Sequence, residues 1–152
     1  MVSHQAADEL TRLSDSMSER WKGARLITKS EDLEFTTSPR GTMAQVVHPG
    51  LGHVNAHLGC FIRELPPGKS SGEHRHNFEA VLHVVEGVGY TMMDGDRYDW
   101  KVGDTMTVPP MAPHQHFNLD PDNRARIIAV TSLPLMRNLG AFRYEQLKWA
   151  EV

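Results

Sequence analysis

Cysteine is almost missing from this chain. Cys60 stands alone among 152 residues, so no intrachain disulfide can brace the fold. It sits in the apolar run AHLGCFIREL (residues 56–65) with no adjacent base, which favours an inert core thiol over a nucleophile. Long apolar runs are missing too, and no stretch approaches the roughly 20 residues a membrane-spanning helix needs. The first residues show no basic segment followed by an apolar one, so the expectation is a cytoplasmic protein with no membrane partner. Nor is there a basic excess. Sixteen Lys and Arg face 19 Asp and Glu, for a formal net charge of -3, which excludes a general nucleic-acid binder. Internal repeats and low-complexity tracts are absent. What is present is an ordinary globular composition, 39% hydrophobic and 23% charged, in a length that suits one domain.

Three textures divide the chain. In residues 1–43, Leu10, Leu13, Met17 and Trp21 recur at spacings of three and four, which predicts an amphipathic helix ended by Gly23. SEDLEFTTSPRG (residues 30–41) follows as a strand and connector. Residues 44–131 hold short apolar stretches between Gly, Pro and Asp turns: AQVV, AHLGCFIREL, EAVLHVVEG, YTMM, RYDWKV, TMTVP, HQHFN and ARIIAVTS. That spacing predicts an all-β sandwich or barrel. Asp94-Gly95 between MM and DRY is a two-residue hairpin signal. Residues 132–152 are expected to form a short helical tail with Leu139, Phe142 and Leu147 on its apolar side.

Histidine is what the chain has in plenty, with nine residues. GEHRHNFEAVLHVVEG (residues 72–87) places His74 and His76 two apart in a strand-like stretch, so both point to one face while Arg75 points to the other. Two imidazoles on one face can grip a metal ion, but a third ligand is needed to hold it well. VPPMAPHQHFN (residues 108–118) offers His114 and His116, again two apart, behind a rigid turn marked by Pro109, Pro110 and Pro113.

In these two stretches the sequence resembles the cupin superfamily. The first cupin motif is matched by Gly68, His74, His76 and Gly87. The second is matched by Gly103, Pro109, His114 and Asn118, with Met111 where the pattern has a second glycine. The Glu ligand usual in cupins falls here on Ala80 or Val81. Glu79 comes one residue early, and a one-residue offset in a strand turns its side chain to the other face. The run from His48 to Thr91, with its Pro-Gly turn, His-Arg-His, missing Glu and Val-Glu-Gly-x-Gly ending, is similar to the gentisate 1,2-dioxygenase group of ring-cleaving cupins.

That resemblance implies a small jelly-roll-type cupin β-barrel with short N- and C-terminal helices, and one divalent metal held by His74, His76 and His114. It favours Fe(II), with Zn, Mn or Ni also compatible with the ligands. It implies a non-haem iron dioxygenase cleaving a C–C bond of a small anionic aromatic or dicarbonyl substrate. A non-redox metal cupin (lyase, hydrolase or isomerase) and a non-catalytic small-molecule binder are the other readings. The sequence departs from that group in carrying one barrel where those enzymes usually carry two. Cupins commonly dimerise, so a homodimer or higher homo-oligomer is expected.

Two further residues are candidates for the chemistry. Arg63 shares parity with Phe61 and Leu65, which places it inward, where a substrate carboxylate or a neighbouring acid would pair with it. His116 shares the face of His114 and is a fourth ligand, a proton donor or a hydrogen-bonded rim residue. His83 reads as packed or at an interface, and His53 and His57 as backbone or interface residues. Gln115 alternates outward and Asn118 supports its turn. Phe61, Leu82, Val84 and Phe117 are expected to line the cavity.

Overall fold

The computed structural model describes residues 21–151 together with 8, 9, 11, 12, 14 and 19. Positions 8, 9, 11, 12 and 14 are helical, but Leu10, Leu13 and Met17, which carry the expected apolar stripe, lie outside the described residues. The rest is almost all β. The strands are β1 (Thr36–Ser38), β2 (Gly41–Val47), β3 (Gly59–Leu65), β4 (His74–His76), β5 (Ala80–Glu86) and β6 (Val88–Met93). They continue with β7 (Asp96–Lys101), β8 (Thr105–Val108), β9 (His114–Asn118), β10 (Ala125–Thr131) and β11 (Tyr144–Gln146). A short helix, α1 (Leu133–Asn138), lies between the last two. No helix among the described residues is long and apolar enough to cross a membrane.

The strands form two antiparallel sheets, ordered β1-β2-β3-β10-β5-β8 and β11-β4-β9-β6-β7. Alternation explains their faces. In β5, Ala80, Leu82 and Val84 are buried while Val81 and His83 stay exposed. Leu65, Leu82, Val84, Trp100, Val108, Ile127 and Ala129 belong to the one apolar core, with Met93 and Met106 packed against it. The Asp94-Gly95 turn joins β6 to β7 with both residues left-handed (φ 51° and 90°), the two-residue turn whose twist suits a hairpin. Gly89 faces Trp100 across that hairpin. A Cβ there would collide with the Trp100 indole and the Phe117 carbonyl, so only glycine lets the indole lie down on the strand.

Three expectations need correction. The tail is helical only as far as Asn138. Phe142 and Leu147 lie beyond α1, and residues Tyr144–Gln146 instead form β11, which pairs with β4 in the register Tyr144↔His76 and Gln146↔His74. The apolar spacing of the tail imitates a helix, but the unpaired edge of β4 offers backbone hydrogen bonds that the tail takes as a strand. Phe117 does not line the cavity. It alternates away from His116 and stacks on Tyr90 with ring centroids 4.5 Å apart, on the far face of the sheet. Val84 is in the core rather than at the cavity wall.

Candidate metal centre

His74 and His76 stand on β4 and His114 on β9, brought side by side by the register pair His74↔His114. Their side chains are all buried, and one ring nitrogen from each lies within 4.8 Å of the others. Each ring is oriented by a carbonyl two residues away. His74 Nδ1 meets Gly72 O at 3.0 Å, His76 Nδ1 meets Phe78 O at 2.8 Å, and His114 Nδ1 meets Ala112 O at 2.9 Å. A carbonyl oxygen can only accept, so every Nδ1 carries the proton and donates it. That leaves each Nε2 as a bare lone pair, the tautomer a metal requires.

Burial also holds these rings neutral. It pulls His74 down to about 2, helped by the charges of His114 and Arg63, and pulls His114 down to about 4. His76 is lowered for the same first reason. Three neutral donors with parallel anchoring fit a divalent ion, and no carboxylate belongs to the cluster. Glu79 is exposed, and its backbone N–H donates to Ser132 Oγ.

The cluster forms part of the wall of a cavity of about 240 Å³, lined also by Phe61, Arg63, Phe78, Leu82, His116 and Tyr144. Arg63 is inward as its parity requires, only 7% exposed, and its Nη1 donates to Arg40 O at 3.1 Å. No acidic side chain pairs with it among the described residues, and its remaining donors are left to the cavity. Gly41 lies directly above, where a Cβ would come within 3.0 Å of the same Nη1. His116 is no rim residue. It is buried, lies outside the three-ring cluster, and shares a 2.8 Å hydrogen bond between its Nδ1 and Thr91 Oγ1. Thr91 in turn accepts Trp100 Nε1–H at 3.0 Å, which ties His116 to the core.

The other candidates take structural places. Arg75 points outward to Glu145. Gln115 reaches Ser70 Oγ and Ser71 O. Asn118 Nδ2 reaches the carbonyls of Leu65, Pro66 and Asn123, holding the turns together. His83 is exposed and contacts Thr105 Oγ1, and His57 is exposed. His53 is buried against Thr28. Burial raises the pKa of the Cys60 thiol, which suits an inert thiol.

Among the pocket residues that the sequence reading did not place there are Phe78, Phe142, Tyr144, Arg40 and Arg137. Phe142 stacks on Phe78 and Tyr144 on His74, the latter with ring centroids 5.3 Å apart. The period-two pair Tyr144 and Gln146 was the signal available for β11.

The family model described as "Cupin domain" matches residues 61–131. The 5-aminosalicylate 1,2-dioxygenase of a Comamonas species is 38% identical over 86 residues, 57% of this chain and 22% of that protein. The 5-nitrosalicylic acid 1,2-dioxygenase of a Bradyrhizobium species is 26% identical over 147 residues, 91% of this chain and 70% of that protein. Among solved structures, a salicylate 1,2-dioxygenase from Pseudoaminobacter salicylatoxidans, in an adduct with gentisate, superposes with a TM-score of 0.65 at 23% identity. That alignment covers 75% of this chain and 31% of the dioxygenase. The chain thus spans about a fifth of the length of the first relative and under a third of the solved structure.

Proposed function

This chain belongs to the cupin family, and on that premise we propose that it is a mononuclear non-haem iron dioxygenase that cleaves a C–C bond in a small aromatic or dicarbonyl substrate. The observation that carries the reading is the donor set. His74, His76 and His114 present three bare imidazole lone pairs to one point, with no carboxylate beside them. A ferrous ion bound there would keep its full charge, offer open positions for a two-oxygen chelate and supply electrons to dioxygen, which zinc cannot.

The other residues divide the remaining work. Arg63 binds an anionic or carbonyl oxygen of the substrate through paired N–H donors and so orients it across the cavity. Phe61, Phe78, Leu82 and Val108 exclude water from around it. His116, buried and tied to Thr91, holds or passes a proton at its ring nitrogen. Relatives named for 5-aminosalicylate and 5-nitrosalicylic acid support the substrate class.

Metal analysis of untagged protein, followed by oxygen uptake, tests the proposal. Iron-loaded protein should consume dioxygen in step with loss of a salicylate-, gentisate- or β-diketone-type compound. Zinc-loaded protein should bind the same compound without turning it over. Turnover by the zinc or manganese form without oxygen would replace the dioxygenase reading with a non-redox one.

A further inference from the structure

Three guanidiniums line the metal-binding cavity, those of Arg40, Arg63 and Arg137, and no Asp or Glu lines it. None of the three forms an ion pair with an acid among the described residues. Elsewhere Arg25, Arg75, Arg97, Arg124 and Arg126 each pair with a carboxylate. Glu31, Asp32 and Glu34 line the adjoining groove with Arg40, and Asp32 is already taken by Arg25.

Arg63 is buried, whereas Arg40 and Arg137 stand exposed at the mouth. Both mouth residues rest on aromatic faces: Arg40 lies 4.8 Å from the Tyr144 ring centroid and Arg137 lies 5.4 Å from that of Phe142. Packing over a ring engages the face of a guanidinium and leaves its N–H edge free for a planar, two-oxygen partner. A divalent ion would add two more positive charges to these three. A ligand with a single negative charge would leave most of that excess uncompensated in a partly desolvated space, which is costly.

We infer that the substrate is a small polyanion. Beyond the pair of oxygens that would chelate the metal, it carries a second, separate carboxylate, which Arg40 and Arg137 receive at the mouth. The inference rests on the chelating-substrate reading above. It narrows that reading to single-ring or similarly small molecules with two acidic groups, which a cavity of about 240 Å³ holds, since roughly 150 Å³ already admits benzene.

Calorimetric titration of the zinc-loaded full chain tests this without turnover. The probes are salicylate, 5-carboxysalicylate and 5-carbamoylsalicylate, which replaces the 5-carboxylate with an uncharged carboxamide of the same shape. The dicarboxylate should bind at least about tenfold more tightly than the carbamoyl compound, roughly the gain of one charge-assisted pair. In the Arg40→Gln/Arg137→Gln double variant that preference should vanish, while metal content stays as in the parent. Equal binding of the two 5-substituted compounds, with salicylate still bound, overturns this inference alone. So does a double variant that keeps the preference. If none of the three compounds binds, the chelating-substrate reading fails and takes this inference with it.

Discussion

The phenyl ring of Phe78 lies flat on the imidazole of His76, with centroids 3.7 Å apart and planes 5° from parallel, and the Phe78 carbonyl accepts His76 Nδ1–H. One residue therefore sets both the tautomer and the tilt of a proposed ligand. Phe142 continues the stack at 6.1 Å from Phe78, and Arg137 caps it.

Replacing Phe78 with Leu separates these two roles, because the carbonyl remains while the stack is lost. Metal affinity, measured by competition with a chelator, should fall about tenfold, in line with the loss of other supporting groups around a metal. Far-UV circular dichroism should be unchanged. Parent-like affinity would assign the orientation of His76 to the carbonyl alone.

The depressed histidines make stability of the metal-free protein fall with acid. His74 sits at about 2 and His114 at about 4 when folded, against 6.5 unfolded, so the unfolded chain takes up protons first. Their contribution is complete above about pH 6.5 and is lost below it, at up to about 1.4 kcal/mol per pH unit for each histidine. The loss continues to about 4 for His114 and about 2 for His74. Urea unfolding of chelator-treated protein at several pH values reads this slope. A flat profile between about pH 7 and about pH 5 would show that these rings are not held neutral.

Met111 occupies a left-handed position, φ 65°, in the turn before β9, and its N–H donates to His76 O at 2.6 Å. A side chain in that region costs about 1–2 kcal/mol, which glycine avoids at some cost in unfolded-state entropy. Met111→Gly should therefore raise stability by up to about 1 kcal/mol in denaturant unfolding. The Met111 side chain is 41% exposed, so little burial is given up.

Arg63 should trade stability against binding. A buried cation with no acidic partner is expensive, and an apolar residue of similar volume removes that cost. Arg63→Met should raise the thermal midpoint, equivalent to about 1 kcal/mol or more, while keeping metal and weakening an anionic ligand strongly. A variant that is less stable and binds the ligand as the parent does would make Arg63 a structural residue.

Much of this was open to reading from the chain. The strands of residues 44–131 alternate in period two between turn residues, and His74, His76 and His114 follow from that alternation and two motifs. Met111 stands where the resembled pattern carries glycine, and the left-handed turn explains the glycine. Other features depend on tertiary partners. Leu139, Phe142 and Leu147 imitate helical spacing, and only the open edge of β4 makes residues 144–146 a strand. Arg40 and Arg137 reach the cavity from a turn and a short helix, where alternation gives no direction.

Strand β4 has a single register pair with β9, His74↔His114, and its other edge is closed by β11, 70 residues further along. All three proposed ligands lie before residue 116 in the chain, yet the strand that carries two of them gains its second neighbour only from residues 144–146. The closing of this edge of the proposed metal pocket is thus assigned to the last strand of the described chain, far in sequence from the ligands it flanks.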